Sequence, residues 1–352
     1  MAHDGAYRIY LGTYTGTEAA AGGIRALRAD RRGAVRDDGL LAELADPSFL
    51  AASPDGGALY AVSEQDDGEV AAFAVRPDGS LAELGRRSSG GAAPCHLSVH
   101  PSGEYLFTAN YGSGTVAVHP VELGGALGEP CDVVRHRGRG PNPQRQESPH
   151  AHQVLPDPSG RFVFAVDLGT DSVHGYGFDP LTGRLTPREQ VRTRPGAGPR
   201  HLAFHPDGER AYLISELESS VTEFGYDGST GALRAEQSLS TLPPGYGRPN
   251  LAAELVITPD GRFAIASNRG HDSLAVFSLD SADGEFRLVE IVSAGVAAPR
   301  HIALSPAGDV LFAGGQDSDA VQPFALAEDG RLTPLGRPEP VPSPVCLLPA
   351  VG

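Results

Sequence analysis

Pro94–Tyr111 reads PCHLSVHPSGEYLFTANY: a short apolar strand, a Pro-x-Gly turn, then a second apolar strand. The pattern returns as PSFLAASPDGGALYAVSE (47–64), PHAHQVLPDPSGRFVFAVDL (149–168), PRHLAFHPDGERAYLISE (199–216), AAELVITPDGRFAIASNR (252–269) and PRHIALSPAGDVLFAGGQ (299–316). Seven residues beyond each start stands a proline: Pro54, Pro101, Pro156, Pro206, Pro259 and Pro306. On this alignment the 149–168 copy carries two extra residues in its turn. A weaker pair of strands follows each hairpin, as in EVAAFAVRPDGSLAEL (69–84). Four strands at a period of about fifty residues is propeller spacing. At the C-terminus PSPVCLLP (342–349) places Pro349 seven after Pro342 and supplies one inner strand, while YRIYLGTY (7–14) opens a set of strands that lacks one. Pairing the two ends makes a seventh blade and removes the open edges of an array. The expected fold is all-β: a single seven-bladed β-propeller domain over residues 1–352, with four-stranded blades closed by N- and C-terminal strands.

Composition narrows the function. The 352 residues include 28 Lys and Arg against 44 Asp and Glu, a net charge of −16. That balance argues against a nucleic-acid or anionic-membrane partner. MAHDGAYR (1–8) has no basic-then-apolar leader and no apolar run is long enough to span a bilayer, so a cytoplasmic protein is expected. The three cysteines, Cys95, Cys131 and Cys346, are odd in number and lack C-x-x-C spacing, so neither a disulfide framework nor a zinc knot is expected. The oligomeric state is open, and a monomer is compatible with everything above.

The repeat also places side chains. The first strand of each hairpin is expected to line a central channel, with its start and the end of the returning strand at one face. One beyond each start stand Ser48, Cys95, His150, Arg200, Ala253, Arg300 and Ser343. Two beyond stand Phe49, His96, Ala151, His201, Glu254, His301 and Pro344. Eight beyond each turn glycine come Glu64, Tyr111, Leu168, Glu216, Arg269 and Gln316. Charge and imidazole are thus expected together at one mouth.

Arginines beside carboxylates and imidazoles suit a small anionic molecule. Guanidinium forks hold carboxylate or phosphate and steady an oxyanion as it forms. A neighbouring Glu or His can take a proton from water or carbon. Other readings stand beside this one. Arg200 and Glu216 share a hairpin and would also make a structural ion pair. His96, His201 and His301 recur at one register position, which points to hydrogen bonding between blades. His150 and His152 have chelate-like spacing, but no third ligand follows, so no metal and no cofactor are expected. Cys95 fits a buried apolar position better than a nucleophile. Glu64, Asn110, Asp167 and Asn268 would have to form any calcium cage, yet they lie in different blades. RHRGRGPNPQRQE (135–147) feeds straight into His150 and is either a solvated connection or a cover over the mouth.

Several stretches resemble one family. GAGPRHLAFHP (196–206), SELESSV (215–221), AAELVITPDGR (252–262), SNR (267–269), APRHIALSPAG (298–308) and PNPQRQESPHAH (141–152) are similar to the cycloisomerase-2 or lactonase family. That family includes propeller-type 6-phosphogluconolactonases and carboxymuconate lactonizing enzymes. The resemblance implies a seven-bladed propeller without a required metal. It implies active-site roles for a histidine, two arginines and a glutamate, which fall on His150, Arg200, Arg269 and Glu216, with His152 an alternative for the histidine. His152, His201, Arg300, Glu254 and Tyr111 are expected to contact substrate. The implied reaction is hydrolysis of a small anionic sugar lactone, 6-phosphogluconolactone foremost, with Glu216 or His150 activating water. Muconate-type lactonization and a non-catalytic scaffold are the alternatives.

Overall fold

The Pro-x-Gly turns fold as their chemistry dictates. Gly56, Gly103, Gly160, Gly208, Gly261 and Gly308 all take φ between 70° and 78°, a left-handed conformation that only glycine adopts without strain. Each glycine N–H closes its turn on the carbonyl three residues earlier, as Gly103 does on His100 at 2.8 Å. The flanking apolar runs therefore pair as antiparallel hairpins. In the computed structural model, which describes residues 7–16, 22–30, 32–279 and 286–350, these hairpins head six of seven sheets.

The sheet of the second repeat shows the plan, in spatial order Pro94–Val99, Tyr105–Asn110, Thr115–Pro120 and Asp132–Arg135. The third runs Ala151–Pro156, Phe162–Asp167, Ser172–Asp179 and Arg184–Arg192. In the closing sheet Pro344–Pro349 pairs with Tyr7–Thr13, from Ile9 opposite Pro349 to Thr13 opposite Pro344. The fold is a seven-bladed β-propeller, and its ends join in one blade as expected. The sixth sheet departs from four strands: Leu332–Pro334 and Glu339–Pro340 both pair with Ala320–Leu326. Prolines 334, 338, 340 and 342 break that outer strand because they cannot donate to the ladder. Among the described residues no helix is long and apolar enough to cross a membrane. Residues 1–6, part of the leader reading, lie outside the described residues.

Two details of the repeat are corrected. The third copy has no insertion. Ala151 pairs with Asp167 and Gln153 with Val166, as Pro94 pairs with Asn110 and His96 with Ala109. Asp157 N–H bonds the Phe162 carbonyl as His100 bonds Tyr105, so the copy starts at Ala151 and its turn proline is Pro158. His152, not His150, is therefore the register mate of Cys95, Arg200 and Arg300. The last copy likewise starts at Pro344 rather than Pro342, because Ser343 (φ 34°) takes the left-handed place that Ala93 (φ 49°) and Ala298 (φ 49°) hold before their strands. Both slips are by two residues. Such a slip keeps every side chain on its face, which hides it from pattern reading.

With the starts corrected, the residue thirteen beyond each is Tyr60, Phe107, Phe164, Tyr212, Ile265 or Phe312, each buried. Contacts divide the chain into two compact units, Met1–Glu43 with Ala203–Gly225 and Ala235–Gly352, and Leu44–Leu202 with Tyr226–Arg234. Each packs its sheets through apolar layers, such as Phe107, Val116, Val154 and Tyr176 in the second unit and Ile265, Leu274, Ile302 and Phe324 in the first.

A clasp repeats between successive sheets. Asp171, Asp272 and Asp319 sit in left-handed turns at φ 48° to 54°. Their carboxylates accept the N–H of Gly198, Ala298 and Ser343 at 2.9, 2.9 and 2.8 Å, each just before the next inner strand. The strand starts that carry the candidate residues are thus fixed by backbone as well as packing.

Candidate active site

In the second unit the candidates form a run of rings. Tyr111 and His150 stack with centroids 4.4 Å apart, and His152 meets Tyr111 edge-on at 5.7 Å and His201 at 5.1 Å. His150 Nδ1 lies 3.0 Å from the Tyr111 carbonyl oxygen, which only accepts, so this nitrogen carries a proton. Nε2 is then the nitrogen with a lone pair to offer in the neutral ring. It faces Glu147 Oε1 at 3.2 Å. A bond from its own backbone N–H, and then the His150 charge, hold the Glu147 carboxyl below its usual range against a slight desolvation. A proton arriving on Nε2 is met by a negative charge. Arg200 opens the strand Pro199–Phe204 and is 3% exposed.

The 135–147 loop packs against this cluster. Besides Glu147, it brings Arg145 Nη2 to 3.5 Å from the Tyr111 hydroxyl. Gln146 anchors it: fully buried, its Nε2 donates to the Leu168 carbonyl (2.8 Å) and to Asp171 Oδ1 (2.7 Å). Gly169 lets the chain pass, since a Cβ there would stand 2.0 Å from the Ser148 carbonyl oxygen and 2.7 Å from His150 N.

In the first unit Glu216 follows Arg210–Ser215 and Arg269 ends Phe263–Arg269. Arg269 Nη2 donates to Glu216 Oε2 at 2.7 Å, with the side chains 14% and 2% exposed. The bond is short, sheltered and of the kind that charge on both partners strengthens. Arg300 lies with its guanidinium carbon 5.2 Å from the Tyr14 ring centre, a cation–π contact. Glu254 and His301 approach each other at 3.4 Å, but they also serve the strands. Glu254 Oε1 accepts from Leu255 N–H at 3.0 Å, and His301 Nδ1 accepts from Leu347 N–H at 3.2 Å.

That last bond answers the recurring histidines. His96 Nδ1 and Gln153 Oε1, at the same register, accept from Val154 N–H (3.5 Å) and Leu202 N–H (2.6 Å) of the following sheet. The position stitches one inner strand to the next, as the recurrence implied. Of the calcium-cage residues, the two asparagines tie the third strand of their own sheet to the chain leaving the sheet before. Asn110 donates to the Ser89 carbonyl and Thr115, and Asn268 to the Thr241 carbonyl and Ser273.

One group of possible metal donors stands out among the described residues: His136, Asp167 and His174 within 4.8 Å of one another. His136 already uses both ring nitrogens, Nδ1 toward Asp167 Oδ2 at 2.6 Å and Nε2 toward the Tyr176 hydroxyl at 3.0 Å. The His174 ring stacks on it at 3.9 Å. Burial, and then the His136 charge, push His174 down to about 4. The arrangement is satisfied as a hydrogen-bond network.

Residues 8–349 match the family described as lactonase, 7-bladed beta-propeller. The chain belongs to that family. The 6-phosphogluconolactonase of Bacillus subtilis is 36% identical over 342 residues, 96% of this chain and 97% of that one. The 6-phosphogluconolactonase of Erwinia tasmaniensis is 34% identical over 82% of this chain and 83% of that one. The solved periplasmic gluconolactonase of Pseudomonas aeruginosa superposes with a TM-score of 0.91 at 34% identity, covering 98% and 99% of the two chains. Within this lactonase chain, Glu147 and His136 are neighbours of the candidates that the repeat register does not mark, and Asp167, weighed from the sequence only for a calcium cage, is a third. The available signal was Glu147 three residues before His150 in Q-E-S-P-H.

Proposed function

We propose that the chain hydrolyses 6-phosphogluconolactone to 6-phosphogluconate. The names of its relatives support that substrate, as do buried and half-buried arginines in an otherwise acidic protein. The observation that carries the reaction is the sheltered Glu216–Arg269 pair. In the proposed step Glu216 takes a proton from water while the water oxygen bonds to the lactone carbonyl carbon. Arg269 follows the negative charge that grows on the carbonyl oxygen. The carbon–ring oxygen bond then breaks, the ring oxygen takes the proton back, and Arg300 offers a cation to the substrate's anionic group. In the unit that holds His150, its Nε2 is the alternative base, with Glu147 steadying the imidazolium. Tyr111, His152, Arg200 and His201 are proposed as substrate contacts there.

The test is hydrolysis of 6-phosphogluconolactone and glucono-lactone by wild type, Glu216→Gln and His150→Gln, corrected for spontaneous ring opening. The proposal expects the phosphorylated lactone to be preferred and Glu216→Gln to lose most of the catalysed rate; loss in His150→Gln with Glu216→Gln unchanged would overturn it in favour of the alternative base. A cytoplasmic site of action is also part of the proposal; the Pseudomonas relative is periplasmic, so cell fractionation decides it.

A further inference from the structure

In three of the hairpins the end of the second strand carries a buried residue with an amide or carboxylate side chain that bonds just beyond the following turn or within it. In the second and fifth sheets it is a neutral amide, Asn110 or Asn268, bonded to a hydroxyl of the third strand. In the third sheet the same register position is Asp167, and it has a histidine beside it. Oδ1 of Asp167 accepts two backbone N–H bonds, from His150 and from Thr170, both at 2.9 Å. Oδ2 accepts from His136 Nδ1. His136 stands just after the strand Asp132–Arg135, at the entry to the loop that ends in Glu147. One buried carboxylate therefore holds three things at once: the root of the loop, the following turn, and the backbone nitrogen of His150.

Nothing in the fold demands a charge here, since a neutral asparagine occupies this position in two sister sheets, where its amide donates to a carbonyl and a hydroxyl. The surroundings nonetheless favour one. Burial pushes the Asp167 carboxyl up, but the His136 bond and charge and the His150 N–H outweigh it and bring it below its usual value. The stacked His174 stays neutral, and burial raises the Tyr176 hydroxyl, so it remains a donor or acceptor without charge. Hydrogen bonds to an ionised acceptor are roughly twice as strong as neutral ones.

We propose that Asp167 and His136 form a positioning pair for His150, whose charge fixes the His150 backbone and the loop so that Glu147 meets the imidazole. This rests on the reading that His150 belongs to the active site. The pair touches no reacting atom and acts only through His150 and Glu147.

Asp167→Asn is the informative variant, because Asn110 and Asn268 indicate that an amide fits this position. It keeps an oxygen for the two N–H bonds. It also turns an amide donor toward His136, which must then move its proton from Nδ1 to Nε2. The experiment combines lactone-hydrolysis kinetics, thermal unfolding and the ring ¹⁵N resonances of His150 for wild type, Asp167→Asn, His136→Gln, Glu147→Gln and the Asp167→Asn/Glu147→Gln double variant. The expected result is an Asp167→Asn protein that unfolds within a few degrees of wild type. Its kcat falls about tenfold, its KM stays within about twofold, and its His150 Nε2 resonance is displaced. His136→Gln should follow it, and the double variant should be little worse than Asp167→Asn alone, as for residues acting through one contact. Wild-type kcat with an unmoved His150 resonance in Asp167→Asn overturns the proposal. Full additivity in the double variant also overturns it. If His150→Gln hydrolyses the lactone as wild type does, the active-site reading of His150 fails instead. The resonance still reports whether Asp167 positions the ring.

Discussion

The Glu216–Arg269 pair and the His150 cluster put charge to use in opposite ways. Glu216 and Arg269 stand at ends of core strands and answer each other directly, with the carboxylate buried. His150 takes its carboxylate from a loop residue whose side chain is 57% exposed, and burial lies one layer away, in Gln146, Asp167 and His136. A pair set by strand geometry is held where its strands place it, and Arg269 Nη2 also reaches the Ala252 carbonyl at 3.4 Å. A loop-borne partner needs buried anchors to hold it in place, and the chain supplies them at both ends of 136–146. The difference teaches where substitutions act: at the pair itself in one region, and through anchors in the other.

The largest effect expected from breaking this contrast is at Arg269. Arg269→Ala should lower kcat/KM by roughly 10²–10³ if the guanidinium follows the oxyanion. Removing this partner from buried Glu216 should also cost on the order of 3 kcal/mol in denaturant unfolding. A variant that loses stability but keeps kcat/KM would leave the pair purely structural.

Acid should separate the regions next. His119, buried in the strand Thr115–Pro120 of the unit that holds His150, is pushed by burial from a usual value near 6.5 down to about 4. The folded protein keeps this ring neutral while the unfolded chain protonates it. Its contribution is therefore whole above pH 6.5, declines as the pH falls toward 4, and amounts to about 3 kcal/mol in all. His174 acts in the same window and direction. Thermal unfolding from pH 7 to 4 should show the decline, and His119→Leu should flatten part of it. An unchanged slope would mean that the ring is not kept neutral.

Gly169→Ala tests the loop side alone. Its Cβ would overlap the Ser148 carbonyl and His150 N, so a loss of about 1–3 kcal/mol is expected, with hydrolysis reduced at temperatures where the protein stays folded. Glu147→Gln should be the mildest. Its carboxylate is exposed, so stability should hold within about 0.5 kcal/mol while kcat falls a few-fold. A fall as large as that of Arg269→Ala would erase the distinction between the regions.

The fold was legible because its signals are local and repeated. A Pro-x-Gly turn needs a left-handed glycine, and the continuous apolar runs that follow it are buried on both faces, as in Ala58–Ser63 and Phe162–Asp167. The strand-end candidates followed from the same register, so Glu216 and Arg269 could be named and are in contact. Two-residue slips at Ala151 and Pro344 escaped notice because they leave the inward face unchanged. His150 was placed on the strand when it stands just before it. Glu147 and His136 were missed, and Asp167 was weighed only for a calcium cage, for a different reason. Their roles depend on how a thirteen-residue loop is tied down, and no periodicity encodes that. Asp167 could be seen as unusual only after pairing set it level with Asn110 and Asn268.

The most direct measurement is the rate of 6-phosphogluconolactone opening by purified wild type and Glu216→Gln at equal folded concentration, with the uncatalysed rate subtracted. The account predicts that wild type accelerates opening and that the glutamine variant, still folded, loses about a hundredfold or more of that acceleration. Equal acceleration by the two proteins, or none by wild type, would contradict it.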